Sequence, residues 1–237
     1  MGAQKTGTTW LDAQLRQLPF CDMGFTKEYH VWDVRFSEIC QEFRRKGYKG
    51  ESTNQSLIRL MQSADGIYEQ YFRQLINEQV RVVGDITPSY SCLDARAYAH
   101  IKNNLESVGF NIKVIFLMRD PVARNWSSLR MYQREIKKRN RVITDTNLIQ
   151  AFKSFYQGRR QFFRTNYPRT LDQLFQVFEP SSVFVGFYES LFDSQTLINL
   201  SDFLGFDVKD FNTQKRFNDS PSLKLPYSEF KLCKSYY

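Results

Sequence analysis

The pattern of apolar and polar residues predicts strands that alternate with helices. IKVIFLM, from Ile112 to Met118, is short, apolar and β-branched at its start, which is typical of a buried strand; two further runs with strand character are VRVVGD and SVFVGFY. Helical spacing of apolar residues predicts helices for TTWLDAQLRQL, DVRFSEICQEFRRK, IYEQYFRQLINEQ, DARAYAHIKNNLESVG, QTLINLSDFLGF and a segment from Pro121 through Arg134. This alternation predicts an α/β fold with a doubly wound, mostly parallel sheet, whose ligands bind at the carboxyl ends of the strands.

Local signals predict where several helices begin and end. Asp120 and Pro121 supply an N-cap and a first-turn proline immediately after the strongest strand. Gly109 is placed to end the helix that precedes that strand. Thr8 is available as an N-cap for the first helix, so the glycine-rich segment before it should direct its amides toward a helix start.

Length and composition predict one globular domain over residues 1–237. The chain of 237 residues is 42% apolar, and no composition break or internal repeat suggests a second domain. A phosphate-binding loop normally follows a strand, yet only Met1 precedes Gly2, so we expect that the first strand was trimmed or is built differently. The C-terminal segment SEFKLCKSYY stops abruptly, so either end is compatible with a fragment boundary. The net charge of +8 favours anionic partners without choosing among them.

The four cysteines predict neither a metal site nor a disulfide framework. They are scattered, without a C-x-x-C pair or a Cys/His cluster, as expected of buried thiols in a reducing compartment. No apolar run of 18 residues and no signal peptide is present. We therefore expect a soluble, cytoplasmic chain, although a removed targeting segment would leave no trace.

The segment GAQKTGTTWL predicts a first anion site. Gly2 and Gly7 have the spacing of a nucleotide phosphate loop, but the lysine, Lys5, lies inside the loop rather than after the second glycine. Backbone amides at a helix start form a nest for a phosphate. The candidate cofactor-binding residues here are Gln4, Lys5, Thr6, Gly7, Thr8 and Thr9. The alternative is an ordinary glycine turn with a solvated lysine.

The segment RDPVARNWSS predicts a second anion site, where the strongest strand meets a helix. Arg119 leaves the carboxyl end of the strand, and Ser127 lies about two helical turns further on. Arg124 has the spacing, three and four residues, that would place it on the same helix face as Ser127 and Ser128. A guanidinium and a hydroxyl that converge at a strand end can bind a phosphate. The alternative is an ordinary ion pair between Arg119 and Asp120.

Together the two segments resemble the nucleotide motifs of the sulfotransferase family. QKTGTTWL is similar to the family's 5′-phosphosulfate loop, and RDPVARNWS is similar to its 3′-phosphate motif. The resemblance implies a P-loop-like three-layer fold that uses 3′-phosphoadenylyl sulfate (PAPS), releases 3′,5′-phosphoadenosine (PAP) and needs no metal. It also implies that Lys5 stabilises the leaving group, because the family's loop lysine contacts the oxygen that joins phosphate to sulfate.

KEYHVWD, Lys27 to Asp33, resembles the E-x-H-x-x-D stretch of the glycan and heparan sulfate sulfotransferases. The resemblance implies that Glu28 is the general base toward an acceptor hydroxyl, that His30 supports it, and that the acceptor is a carbohydrate. We expect the two side chains on the same side of a strand. The alternatives are a surface pair of Glu28 with Lys27 and a merely structural His30.

The remaining signals are weaker. GDITPSY resembles a family element but has Ile86 where the glycan enzymes have a lysine, and FNTQKRFNDSPSLKLP offers Lys215 and Arg216 as further nucleotide ligands. The basic run IKKRNR is either a solvated helix end or a contact for an anionic acceptor. Two alternative functions remain, a P-loop kinase that uses ATP and magnesium and a non-catalytic nucleotide- or nucleic-acid-binding module. No nucleic-acid-reading motif supports the latter.

Overall fold

The structure is a computed structural model that describes residues 2–138, 145–207 and 225–237, except for the side chains of residues 137, 138, 145 and 146. The strands are β1 (Cys21–Asp22), β2 (Val82–Val83), β3 (Val114–Met118) and β4 (Val183–Phe187). The helices are α1 (Thr8–Leu15), α2 (Trp32–Phe36), α3 (Thr53–Ser63), α4 (Ile67–Leu75), α5 (Ala95–Ser107), α6 (Pro121–Lys138), α7 (Asp145–Gln157), α8 (Arg159–Thr165), α9 (Tyr167–Phe175), α10 (Ser194–Leu204) and α11 (Tyr227–Lys234). Short 3₁₀ helices are Glu38–Phe43, Pro88–Cys92 and Pro180–Ser182.

The strand pairing is parallel, as the sequence predicts. β1 pairs with β2, and β3 pairs with β4 over five residues from Val114↔Val183 to Met118↔Phe187. Among the described residues these form two parallel pairs rather than one continuous ladder. The α/β class is confirmed, while β1 and β2 are much shorter than β3.

Strand β3 is buried on both faces, which places it in the central layer. Val114, Phe116 and Met118 pack into one hydrophobic cluster with residues from α3, α4 and α5. Ile115 and Leu117 face the opposite cluster, which contains residues of α1 and α10. Because successive side chains of a strand point to opposite faces, helices cover both sides of the sheet.

The turn after β3 is fixed by the cap that the sequence predicts. The backbone N–H of Ala123 donates to Asp120 Oδ1 at 2.8 Å, and α6 begins at Pro121. The backbone N–H of Arg124 donates to the Asp120 carbonyl oxygen at 2.8 Å. This cap sets the direction in which α6 leaves the carboxyl end of the sheet.

The glycine-rich loop docks directly on β3. Gly2 forms a parallel bridge with Leu117, and the backbone N–H of Ala3 donates to the Leu117 carbonyl oxygen at 3.1 Å. Gly7 occupies the N-cap of α1 with φ 88°, and no side chain caps the helix, so the prediction that Thr8 is the N-cap is wrong. A Cβ on Gly7 would lie 2.5 Å from Leu191 Cδ2, which explains why glycine is required here.

Two helical predictions differ in their outcome. The segment DVRFSEICQEFRRK does not form one helix, because Ser37 is extended and separates α2 from a 3₁₀ helix. Helix α5 ends as predicted, with Gly109 in the left-handed region just beyond Ser107.

Helix α3 was not predicted from the sequence. It begins at a capping box formed by Ser52 and Gln55.

Candidate active site

The two predicted anion sites lie in one cleft of about 680 Å³ at the carboxyl ends of β3 and β4. The cleft is lined by Gln4, Lys5, Gly7, Thr8, Thr9, Trp10, Lys27, Glu28, Pro88, Arg119, Ala123, Ser127, Met131, Tyr188, Glu189 and Phe192. The glycine-rich loop, the start of α6 and the KEYHVWD segment therefore converge on one cleft. The loop follows the bridge between Gly2 and Leu117, and α6 begins just after β3, so both lie at the carboxyl end of this strand.

Lys5 lies at the centre of this convergence. Its backbone is in the left-handed region with φ 74°, and its Nζ is 3.9 Å from Met131 Sδ of α6. Burial and, after it, the positive charges of Arg134, Arg119, Lys27 and Arg130 together lower the pKa of Lys5 to about 8. A cation held among other cations in a half-buried cleft indicates a site built to receive negative charge.

Arg119 connects the strand end to the loop. Its Nη1 donates to the Lys5 carbonyl oxygen at 3.1 Å, and its guanidinium carbon lies 4.1 Å from the Tyr188 ring centroid. The Nε of Arg119 is buried and has no hydrogen-bond partner among the described residues. The Asp120 carboxylate instead caps α6, so the described part of the chain does not show the alternative of an ordinary Arg119–Asp120 ion pair.

Ser127 faces the cleft, whereas Arg124 does not. Arg124 is fully buried, and its Nη2 donates to Gln161 Oε1 of α8 at 2.8 Å and to Asn125. The expectation that Arg124 shares the Ser127 face is therefore wrong, because its side chain is turned toward α8. Burial lowers the pKa of Arg124 to about 10.

The loop side chains divide into those that line the cleft and those that brace the loop. Thr8 and Thr9 line the cleft, while Thr6 is fully buried and its hydroxyl donates to the Ala3 carbonyl oxygen at 2.6 Å. The side-chain oxygen of Gln4 accepts from the Ser128 hydroxyl at 3.1 Å and from Arg164 Nη1 at 3.3 Å. The structure thus gives Thr6 an internal role and ties Gln4 to α6 and α8.

Glu28, His30 and Asp33 form a hydrogen-bonded series that leads from the cleft into the core. His30 Nε2 lies 3.3 Å from Glu28 Oε2, and His30 Nδ1 lies 2.7 Å from Asp33 Oδ2. Asp33 is fully buried and also accepts from the Ser89 hydroxyl. On the cleft side, Lys27 Nζ donates to Glu28 Oε1 at 2.6 Å. Lys27 and Glu28 line the cleft, whereas His30 lies behind Glu28.

The charges in this series support one another. Burial alone would raise the pKa of Glu28, but the hydrogen bonds and charges of His30 and Lys27 outweigh it and lower that pKa to about 2. Burial alone would lower the pKa of His30, but Asp33 and Glu28 raise it to about 9. At neutral pH, Glu28 is therefore a carboxylate that faces a protonated His30. The predicted surface pair with Lys27 exists as well, so Glu28 has two cationic neighbours.

His30 is held by a loop and not by the strand expected from the sequence. Its φ of 52° is left-handed, and its ring stacks on Phe43 with the centroids 3.7 Å apart. Gln62 Nε2 donates to the His30 carbonyl oxygen at 2.9 Å, and the His30 N–H donates to Thr87 Oγ1 at 3.3 Å. These contacts fix the imidazole between Glu28 and Asp33.

The GDITPSY segment contacts the series of Glu28, His30 and Asp33 through Thr87 and Ser89. Asp85 is buried and accepts from the hydroxyls of Thr87 at 2.6 Å, Tyr90 at 2.6 Å and Tyr68 at 3.1 Å. Burial raises the pKa of Asp85 to about 6 in spite of these bonds. Ile86 lies in a hydrophobic cluster and does not line the cleft, so its side chain adds core packing where the glycan enzymes have a lysine.

The cleft residues that the sequence did not predict include three that follow β4. Tyr188, Glu189 and Phe192 follow β4 directly, and Glu189 Oε1 accepts from the Asp120 backbone N–H at 2.9 Å. The rule that ligands bind at the carboxyl ends of parallel strands applies to β4 as well as to β3 and could have indicated them.

Some predictions lie outside what the structure describes. Lys215 and Arg216 fall outside the described residues, as do Arg139, Asn140 and Arg141 of the IKKRNR run and the side chains of Lys137 and Lys138. Within the described ranges, no group of three or more His, Cys, Asp or Glu side chains is arranged to hold a metal ion. None of the helices in the described part of the chain is long and apolar enough to cross a membrane.

Comparisons with known proteins identify similar folds and a matching family. Similar folds occur in a sulfotransferase from Alicyclobacillus acidocaldarius (TM-score 0.61, 20% identity, covering 92% of this chain and 84% of that one) and in the sulfotransferase domain of the Synechococcus PCC 7002 olefin synthase (TM-score 0.54, 18% identity, 99% and 92%). A third is the sulfotransferase domain from the curacin biosynthetic pathway (TM-score 0.56, 20% identity, 94% and 79%). No functionally curated protein matches the sequence. The model of the family described as "Sulfotransferase family" matches residues 1–207, so the chain belongs to the sulfotransferase family.

Proposed function

We propose that the protein transfers a sulfuryl group from PAPS to a hydroxyl group, and that the acceptor is a carbohydrate. The observation that carries the proposal is the convergence of Lys5, Arg119 and Glu28 on one cleft. Two anion-binding sites, each with a positively charged side chain, suit a nucleotide that carries anionic groups at both its 3′ and 5′ positions. The carboxylate of Glu28 in the same cleft suits an acceptor that must lose a proton.

The residues of the cleft fit such a nucleotide. The buried Nε of Arg119 has no hydrogen-bond partner in the described residues, as expected of a donor reserved for a ligand. Gly7 takes a left-handed conformation with φ 88° at the N-cap of α1, which suits a turn that presents backbone amides to a phosphate. In the proposed arrangement the loop amides with Thr8 and Thr9 hold the 5′ end, and Arg119 with Ser127 holds the 3′-phosphate.

When bound, PAPS supplies the sulfuryl group. Lys5 is placed to stabilise the negative charge that develops on the phosphate when the bond between phosphate and sulfate breaks. The anionic groups of the bound nucleotide would keep the Lys5 ammonium protonated. Glu28 accepts the proton of the acceptor hydroxyl. His30, hydrogen-bonded to Glu28 and to Asp33, holds the carboxylate toward the cleft.

The low pKa of Glu28 has a consequence for its role as a base. At a pKa of about 2 the group is ionised at every physiological pH, but it is a weak base. The anionic groups of a bound nucleotide would repel the Glu28 carboxylate and compete with it for Lys27. Both effects raise the pKa of Glu28. We therefore expect Glu28 to become a stronger base once the nucleotide occupies the cleft.

The carbohydrate acceptor is supported by the resemblance of the KEYHVWD segment to the glycan sulfotransferases; its Glu28 lines the cleft and His30 lies directly behind Glu28. A direct test incubates the protein with sulfur-labelled PAPS in EDTA and a panel of glycans, phenols, steroids and lipids. Label should move to a glycan hydroxyl without magnesium. Transfer to a phenol alone would contradict the carbohydrate acceptor, and phosphoryl transfer from ATP with magnesium in place of sulfuryl transfer would contradict the proposal as a whole.

A further inference from the structure

Three consecutive backbone amides of the KEYHVWD segment donate to side-chain hydroxyls from the chain that follows β2. The N–H groups of Tyr29 and His30 donate to Thr87 Oγ1 at 3.0 and 3.3 Å. The N–H group of Val31 donates to the Tyr90 hydroxyl at 3.3 Å. Thr87 is fully buried. Removing the two hydroxyls would leave these amides without a hydrogen-bond partner among the described residues.

Asp85 fixes the direction of both hydroxyls. Thr87 Oγ1 donates to Asp85 Oδ1 at 2.6 Å, and the Tyr90 hydroxyl donates to Asp85 Oδ2 at 2.6 Å. Since its pKa is about 6, Asp85 is ionised at neutral pH. An ionised carboxylate only accepts hydrogen bonds, so each hydroxyl points its proton at Asp85 and its lone pairs at the amides. Thr87 thereby uses its one proton and both of its lone pairs.

These bonds hold the residue that joins Glu28 to Asp33. His30 has φ 52°, a left-handed backbone that residues other than glycine adopt infrequently and that persists where surrounding contacts impose it. In this conformation His30 Nε2 lies 3.3 Å from Glu28 Oε2, and His30 Nδ1 lies 2.7 Å from Asp33 Oδ2. A change of φ at His30 would turn the ring away from these carboxylates.

We propose that Thr87 is a positioning residue for sulfuryl transfer: oriented by Asp85, its hydroxyl holds the backbone at His30 so that the imidazole stays between Glu28 and Asp33. The effect on turnover rests on the proposed function, because that function makes Glu28 the base. The placement of the imidazole does not depend on it and can be measured without any substrate.

The first test follows His30 by NMR during a pH titration of the ligand-free chain. The chain has two histidines, so the ring signals of His100 serve as an internal reference. In the unmodified protein the pKa of His30 should be about 9, because Asp33 and Glu28 stabilise the imidazolium. Thr87→Val replaces the hydroxyl by a methyl group, so we expect the pKa of His30 to fall by at least about one unit. The His100 signals should not change.

Thr170→Val is the matched control. Thr170 is also buried, and its hydroxyl donates to the Ser91 carbonyl oxygen at 3.0 Å. No hydrogen bond of the described residues joins it to residues 27–33. The control loses the same group from the interior and should keep the pKa of His30. Thr87→Ser, which retains a hydroxyl, should restore that pKa.

Asp85→Asn decides the matter if Thr87→Val does not fold. The asparagine keeps the volume of Asp85, but its amide nitrogen donates, so either Thr87 or Tyr90 must turn its hydroxyl to accept from it. That hydroxyl then offers fewer lone pairs to the amides, and the pKa of His30 should fall in this variant too. An unchanged pKa would show that Asp85 does not orient the hydroxyls.

The second test measures turnover with PAPS and the acceptor that the unmodified protein uses. A misplaced catalytic group lowers the rate, so Thr87→Val should reduce kcat by roughly tenfold to a hundredfold. The Kd of PAP should stay within about twofold, because Thr87 does not line the cleft. Thr87→Ser should recover most of the lost kcat, and Thr170→Val should keep it.

The two measurements separate this inference from the proposed function. An unchanged pKa of His30 in folded Thr87→Val would overturn the inference, whatever reaction the protein catalyses. A lowered pKa with undiminished turnover would overturn the role of Thr87 in transfer. A lowered pKa in a chain whose unmodified form transfers no sulfuryl group would support the placement of His30 by Thr87 and contradict the proposed function instead.

Discussion

The two halves of the cleft are built in different ways. The half that we propose for the nucleotide, called the nucleotide half, combines main chain with two side chains. Its main chain is a loop paired to β3 through Gly2 and Leu117 and a left-handed Gly7 at the start of α1, and its side chains are those of Lys5 in this loop and Arg119 at the end of β3. The half that we propose for the acceptor, called the acceptor half, is a network of side chains in which Glu28 and Asp33 are joined through His30 on an irregular loop.

The difference indicates how each half performs its task. Main-chain amides at a helix start bind phosphate through their fixed geometry, so this half depends on backbone conformation as well as on the side chains of Lys5 and Arg119. A proton acceptor must instead have a tuned charge, and the hydrogen bonds of His30 and Lys27 set the charge of Glu28. Substitutions should therefore separate binding from turnover according to the half that they affect.

The largest effect should come from Glu28→Gln in the acceptor half. The amide fills the same volume but cannot accept the proton, so we expect single-turnover sulfuryl transfer to fall by roughly a hundredfold to ten-thousandfold. PAP affinity should stay close to that of the unmodified protein, because the nucleotide ligands lie in the other half. Rapid-quench transfer with saturating PAPS and calorimetry with PAP measure the two quantities.

The outcome that contradicts this prediction is turnover at the unmodified level. The base would then have to be another group, and the role of the KEYHVWD segment on the acceptor side would be lost. A parallel loss of PAP affinity would instead show that the two halves are not separable.

A somewhat smaller loss of turnover is expected for Lys5→Ala in the nucleotide half. Removing one donor that stabilises developing negative charge typically costs roughly a hundredfold to a thousandfold in rate. Unlike Glu28→Gln, this change should weaken PAP binding as well, since the proposed function has Lys5 contact the nucleotide in the ground state. Unchanged PAP affinity with reduced turnover would place Lys5 with the acceptor half.

Gly7→Ala tests the dependence on backbone geometry. An alanine with φ near 88° costs roughly 1 to 2 kcal/mol, and its Cβ would lie 2.5 Å from Leu191 Cδ2. Gly50→Ala is the matched control, because Gly50 has φ 87° and no described atom within 4 Å of the position that a Cβ would take. We expect Gly7→Ala to lose more thermal stability than the control and about tenfold in PAP affinity. Equal stability and intact PAP binding in both variants would show that the loop tolerates a side chain.

The pH dependence gives the mildest contrast between the halves. Because the pKa of Lys5 is about 8, kcat/KM for PAPS should be halved near pH 8 and fall about tenfold per unit above it, as the ammonium loses its proton. Glu28, with a pKa of about 2, should produce no acidic limb between about pH 5 and 8. Lys5→Arg should remove the alkaline limb, because arginine stays protonated. A profile that stays flat to about pH 10 in the unmodified protein would contradict the role of Lys5.

The nucleotide half could be predicted from sequence better than the acceptor half. Arg119 is indicated by the strand end that it follows, and the loop is indicated by the helix start that it precedes. Each of these signals lies within a few residues of the site that it indicates. His30 depends on Gln62, Thr87 and Phe43, which are distant in the chain, so its left-handed backbone could not be inferred from KEYHVWD alone.

Arg124 shows the same limit. Its spacing from Ser127 is helical, as predicted, but the direction of its side chain depends on Gln161 of α8, a contact 37 residues away. Helical spacing indicates a shared face only for side chains that no distant partner turns aside.

The measurement that tests the central claim most directly is calorimetric titration in EDTA with PAP and with 5′-AMP, which lacks the 3′-phosphate. The unmodified protein should bind PAP at least about tenfold tighter, since a charge-assisted contact contributes roughly 1.5 to 3 kcal/mol. Arg119→Ala should weaken PAP binding about tenfold or more and leave 5′-AMP binding nearly unchanged, so that the preference disappears. Equal affinity of the unmodified protein for the two nucleotides, or an equal loss of both in Arg119→Ala, would contradict the assignment of this cleft to a nucleotide with two charged ends.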